Sequence, residues 1–148
     1  MSEELLQAEA DELLAMPKVR ADSEERQFPS PGRFVSAPLA SQDGREHFLL
    51  DINRRSLNLN RVVFQNRAKI IVVQARLDLG GAPHRNPDDV EIGVPHLHLF
   101  REGFGEKWAF EVPALNFKDT SDRWQTLGDF MRFCNIVDPP IIHRDLVT

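Results

Sequence analysis

Lys69-Ile70-Ile71-Val72-Val73-Gln74-Ala75-Arg76-Leu77-Asp78-Leu79 alternates with a period of two. Ile71, Val73, Ala75 and Leu77 form one face, and Val72, Gln74, Arg76 and Asp78 the other. Successive strand side chains point to opposite faces, so the run predicts a strand with one face against helices and one half-polar face. Downstream, a Gly/Pro-rich connection over 80–89 leads to a second predicted strand, Val94–Arg101, and Gly103-Phe104-Gly105 turns the chain into a third, Lys107–Val112. The three predict an antiparallel meander. Upstream, Arg33–Ala40 and Glu46–Ile52 predict a hairpin around Ser41–Arg45, where Asp43-Gly44 supplies the positive-φ turn. Pro38 has no N–H to donate, which places the first strand of that hairpin at a sheet edge. Ser56–Gln65 predicts one further strand.

Helices are predicted at both ends. Residues 3–16 can be capped by Ser2, place Leu6, Ala10, Leu13 and Leu14 on one face, and end at Pro17. The closing helix can be capped by Asp119, Thr120 or Ser121 and carries Trp124, Leu127, Met131 and Cys134 at helical spacing. Lys18–Gly32 reads as a loop and Ile141–Val147 as a short edge strand. The expected fold class is α+β: an antiparallel sheet of about five or six strands with the N-terminal and C-terminal helices on one face. A single domain over 1–148 divides into an acidic helix plus loop (1–32), the sheet (33–118) and a helix with a C-terminal tail (119–148).

The 148 residues, 41% hydrophobic and 28% charged, suit one globular core without staples. Cys134 is the only cysteine, which excludes an internal disulfide framework and a cysteine-cluster zinc site. No apolar run reaches membrane-spanning length, and Met1–Met16 carries acids and no base. A membrane span and a secretory signal are both disfavoured, and a reducing cytoplasm is the expected location. Residues 1–26 hold eight acids against three bases, so the whole formal charge of −5 lies there. Residues 52–107 lean the other way, with nine Lys/Arg against six acids. That excess is too small for generic duplex-DNA binding, which needs a broad cationic face.

Three of the five histidines, His84, His96 and His98, fall in this basic stretch. His96, His98 and Phe100 share one strand face, opposite Leu97 and Leu99. If this strand pairs with Lys69–Leu79, the histidines lie beside Gln74, Arg76 and Asp78 on the uncovered, solvated side of the sheet. Three chemistries follow. In the first, His84, His96 and His98 are acid/base catalysts on a phosphodiester, with Arg76, Arg85, Arg101 and Lys107 binding phosphate and Trp108 or Phe104 stacking an unpaired base. RNA is the natural substrate, because its 2′-OH is an internal nucleophile; no cofactor is required. In the second, His96 and His98 with His84, Asp88 or Glu102 hold a metal ion; His96-x-His98 followed by Glu102 resembles half of a cupin motif. In the third, the histidines are hydrogen-bonded sheet residues and 83–88 is a locally capped turn. Trp124, Phe130 and Phe133 read as core, Arg54-Arg55 as a solvated strand end, and Cys134 as a buried thiol.

The block Leu77-Asp78-Leu79-Gly80-Gly81-Ala82-Pro83-His84-Arg85-Asn86-Pro87-Asp88, with Pro95-His96-Leu97-His98 and Trp108-Ala109, resembles an uncharacterised bacterial family of unknown function. The likeness extends to Gln65-Asn66-Arg67 and from Trp124 to Val137, and departs at Asp89, where the pattern has glycine. It implies a mobile-element or defence setting: a toxin–antitoxin pair or a phage countermeasure. The expected function is a toxin-like endoribonuclease or RNA-binding protein, with RNA and a cognate antitoxin as partners. The alternative is a non-enzymatic acidic protein that blocks a nucleic-acid-handling enzyme, as an antitoxin or anti-CRISPR inhibitor does. The sequence leaves the oligomeric state open.

Overall fold

The computed structural model describes residues 5–144. Ser2, proposed above as a helix cap, and residues 145–147 of the predicted terminal strand lie outside them. In chain order the elements are α1 (Gln7–Ala15), β1 (Lys18–Arg20), β2 (Glu25–Gln27), β3 (Phe34–Ser41), β4 (His47–Asn53), β5 (Val62–Ala68), β6 (Val72–Leu79), β7 (His84–Arg85), β8 (Glu91–Ile92), β9 (His96–Leu99), β10 (Ala109–Glu111), α2 (Arg123–Phe133), β11 (Ile136–Asp138) and β12 (Ile141–His143).

Eight strands form one sheet in the order β10-β9-β6-β5-β4-β3-β1-β11. It is larger than the sheet expected and mixed, because β1 pairs with β11 in parallel. The added strands come from 18–20, read above as loop, and from the stretch just after α2; β2 and β12 form a separate parallel pair. The central hairpin and the β6-β9-β10 meander lie where the alternation placed them.

Pro38 is not at an edge. β3 lies between β4 and β1, but β1 covers only Leu39–Ser41. Pro38 sits where β1 peels away, its carbonyl accepting from Ala21 N at 3.0 Å, so its missing N–H falls beyond the ladder.

One face of the sheet is apolar. Leu50, Ile52, Phe64, Leu77 and Leu97 pack there with Ala10 and Leu13 of α1, with Leu127 and Phe130 of α2 and with Cys134 just after it, in one buried cluster. The cap of α2 is Asp122, whose side chain accepts from Gln125 N at 3.1 Å, one position beyond the expected candidates. A bulge in β6 moves Gln74 out of register, so Gln74 and Ala75 are both buried and Ile71 is left 76% exposed. No helix among the described residues is long and apolar enough to cross a membrane.

Candidate functional site

The two strands read first from the sequence place the site. β6 and β9 pair antiparallel, with Arg76 opposite His98 and Asp78 opposite His96. Leu97 is buried on the helix side, so alternation sends both imidazoles to the other face.

His84 arrives by a separate route. Gly80 and Gly81 both have positive φ, 80° and 87°. A Cβ on Gly80 would lie 2.7 Å from the Asn60 carbonyl oxygen, and one on Gly81 3.0 Å from Arg61 Cδ. Only glycines let the chain press against the β4–β5 loop here, and the turn they make carries His84 back over the end of the sheet. Asn86 locks it there. Its buried amide donates to Ala109 O at 2.9 Å and accepts from Ala109 N at 2.8 Å, standing in for a strand partner. Asp89, where the resembled pattern has glycine, adopts φ 73°.

The three imidazoles form one cluster, with ring centroids 5.9 Å (His84–His96), 4.6 Å (His84–His98) and 5.0 Å (His96–His98) apart. Each ring has one nitrogen against a main-chain carbonyl: His84 Nε2 on Lys107 O at 2.7 Å, His96 Nδ1 on Gly93 O at 3.1 Å, and His98 Nδ1 on Glu106 O at 2.8 Å. A carbonyl only accepts, so each of these nitrogens carries the hydrogen and the other nitrogen is set by default. His98 Nε2 accepts from Arg76 Nη2 at 3.0 Å. Burial first, and then the Arg76 charge, pushes the His98 pKa down from 6.5 to about 4, so the ring is neutral at pH 7. His96 Nε2 faces Asp78 Oδ2 at 3.3 Å, a contact that is attractive only with a proton or cation between the two atoms. His84 Nδ1 has no hydrogen bond among the described residues.

Arg76 is the hub. Its Nε donates to Asp78 Oδ1 at 3.0 Å, its Nη1 to Glu106 and its Nη2 to His98. Arg61 reaches Asp78 Oδ2 at 3.4 Å from the β4–β5 loop. Arg61, Arg76, Asp78 and the three histidines line a solvent-open cavity of about 600 Å³ together with Ser56, Asn58 and the 81–83 turn.

The sequence placed His96 and His98 on a wet surface. They are 2% and 1% exposed, because the returning loop that carries His84 roofs them over; His84 is half-buried. Of the expected phosphate-binding residues, only Arg76 lines the cavity. Arg85 is exposed and donates to Asp89 O at 2.7 Å. The Arg101 guanidinium stacks over Trp108, 4.6 Å from the ring centroid, and Phe104 packs edge-on against the same ring. Lys107 offers the cluster only its carbonyl. Glu102 accepts from Gln7 N at 2.7 Å, and Asp88 from Val90 N at 3.0 Å, so neither belongs to a ligand set with the histidines. Two residues not singled out for the site belong to it. Asp78 was legible from the pairing register, two positions from Arg76 on the same face. Arg61 fell inside 56–65, read above as a strand; that strand begins only at Val62, so Arg61 belongs to the β4–β5 loop and its place in the site gave no signal.

Comparison with curated proteins and with solved structures finds no match. The model of a family of unknown function, DUF6978, matches residues 5–136, a span that takes in every residue of this cavity, and the chain belongs to that family.

Proposed function

We propose that the cavity is a metal-independent phosphodiester site acting on RNA. The observation that carries this reading is the pinning of three imidazoles by three main-chain carbonyls, which fixes the tautomers of three rings that line one cavity with Arg61 and Arg76. Arg61 and Arg76 hold the non-bridging oxygens and offset the charge that develops on them. His84 Nδ1 takes the proton of the 2′-OH as O2′ attacks phosphorus. The P–O5′ bond breaks, and O5′ takes the proton held between His96 Nε2 and Asp78. The products are a 2′,3′-cyclic phosphate and a 5′-OH, so atoms and charge balance without a cofactor. His98 is neutral and acts through Arg76, as a positioning residue. A toxin-like endoribonuclease in a bacterial cytoplasm, held by a cognate antitoxin or serving as a phage countermeasure, is the setting that fits this chemistry.

The test is cleavage of a fluorogenic oligoribonucleotide in excess EDTA. Wild type is expected to cut RNA and spare the DNA analogue, and His84→Ala to lose about 10²–10⁴-fold in rate at unchanged melting temperature. An inactive wild type, or a fully active His84→Ala, overturns the proposal.

One observation favours a second reading. Ligand atoms of Asp78, His96 and His98 all lie within 4.8 Å of one another. The carbonyl on the far nitrogen of each ring is also how metal-ligating histidines are held. A transition-metal ion there would have to displace Arg76 from His98 Nε2. About one equivalent of metal in untagged protein, with activity lost in EDTA and restored by that ion, selects this reading; under about one-tenth equivalent removes it.

A further inference from the structure

The sheet face opposite the helices carries two rows of cross-strand neighbours. One runs Phe34–Asn53–Val63–Asp78–His96, from β3 to β9. The row beside it runs Ser36–Asp51–Gln65–Arg76–His98. Apart from Val63, every member is polar, charged or aromatic. Four strand spacings of about 4.8 Å make each row about 19 Å long.

The space above the rows is a chain of cavities. The histidine cavity shares Ser56, Arg61 and Arg76 with a neighbour of about 380 Å³. That neighbour shares Asn53, Arg55, Val63 and Gln65 with a third, of about 200 Å³, which ends at Phe34 and Arg67. At this far end the Arg55 guanidinium lies over the Phe34 ring, 3.7 Å from its centroid, and the ring is 45% exposed. Asp51 holds Arg67 by two bonds, Nε–Oδ2 at 2.7 Å and Nη2–Oδ1 at 3.0 Å, so this guanidinium is fixed beside the track rather than mobile in solvent.

We infer that this cavity-lined face, open at its β3 end and roofed by the His84 loop at its β9 end, is a track for single-stranded RNA, which stacks a base on the Phe34–Arg55 platform and delivers a phosphodiester to the histidines at the other end. The inference rests on the RNA reading above and specifies the form of the substrate. A cationic groove that follows a backbone, with an aromatic ring on which a base can stack, is how proteins hold unpaired strands without reading sequence. Four guanidinium groups, of Arg55, Arg61, Arg67 and Arg76, overhang a track whose acids, Asp51, Asp78 and Glu106, are already engaged with Arg67, Arg61 and Arg76, which leaves an excess of one positive charge. A duplex would present only its outer backbone to this face and could not lay a base on Phe34. The length of the rows fits about four nucleotides, the low end of single-strand site sizes.

The experiment uses fluorescein-labelled 2′-O-methyl oligouridylates of two and six nucleotides, which have no free 2′-OH and cannot be cleaved by the mechanism above. Fluorescence anisotropy is expected to show the hexamer binding at least about tenfold more tightly than the dimer. Phe34→Ala and Arg55→Ala should each weaken the hexamer by about 5–150-fold, the range for loss of one stacked base. A log–log salt slope near −2 corresponds to about three neutralised phosphates. Equal affinity for the two lengths, hexamer binding untouched by both substitutions, or a blunt RNA hairpin competing as well as the open strand would each overturn the track, as would an acidic peptide binding in place of every oligonucleotide. Because the probes are inert, tight Phe34-dependent binding without cleavage of ordinary RNA would sink the catalytic reading and leave the track standing. Cleavage without length-dependent binding would do the reverse.

Discussion

His98 shows what burial does to a group that the sequence alone presents as an ordinary titrating histidine. In the fold it takes up its proton near pH 4, and in the unfolded chain near 6.5. The unfolded state therefore binds the proton first as pH falls. The stability this gives is intact above about pH 6.5, drains between 6.5 and 4, and amounts to at most about 3 kcal/mol. Urea midpoints measured across that window should fall steeply for wild type and clearly less for His98→Asn. Two backbone positions make sharper claims. Gly80→Ala would put a methyl group 2.7 Å from a carbonyl oxygen at a positive φ and should cost about 2 kcal/mol or more, read as a lower denaturant midpoint. Asp89→Gly should raise stability by about 0.5–1 kcal/mol, because aspartate at φ 73° bears a strain that glycine does not. The residue types of the site were legible: histidines and arginines interleaved in one stretch. Which arginines serve it was not, because that depends on where loops return, and Arg85 and Arg101 end up facing solvent or stacking on Trp108.

At the scale of elements, long alternating runs gave their strands away, and so did the stretches that hold the short β10 and β12, whereas three other short strands stayed hidden. β1, β2 and β11 have three residues each, too few for a period, and exist because neighbouring strands leave edges to pair with. The bulge in β6 was invisible for another reason. Alternation assigns Gln74 to the polar face beside Arg76, and only the cross-strand register shows it turned inward. Its amide is 1% exposed and has no hydrogen-bond partner among the described residues. Gln74→Leu should therefore raise thermal stability by about 1–2 kcal/mol, by removing a buried amide that nothing satisfies. A lower melting temperature would mean that the amide is satisfied by ordered water in the 310 Å³ cavity it lines under α1.

For the whole molecule, the acidic N-terminal segment is built into the fold rather than appended to it. Leu5, Ala10 and Leu13 belong to the core. Lys18 is fully buried and gives its ammonium to the carbonyls of Leu14, Met16 and Cys134 at 2.7–2.9 Å. Deleting residues 1–26 is therefore expected to abolish cooperative unfolding, and it cannot serve as a clean test of an acidic inhibitor. Substituting two of the three exposed acids of α1, Asp11 and Glu12, leaves the core in place and is the proper test of that idea: a loss of partner capture at unchanged melting temperature would support it.

The parallel pairs β1–β11 and β2–β12 carry a consequence for synthesis. A ribosome releases the chain from its N-terminal end, and β1 and β2 emerge long before Ile136–Asp138 and Ile141–His143, which lie against them. Until that late stretch clears the exit tunnel, one flank of the sheet is an open seam, and closing it is a long-range event. A nascent chain stalled after α2 would carry every histidine and arginine of the cavity while still lacking the clasp that completes the sheet.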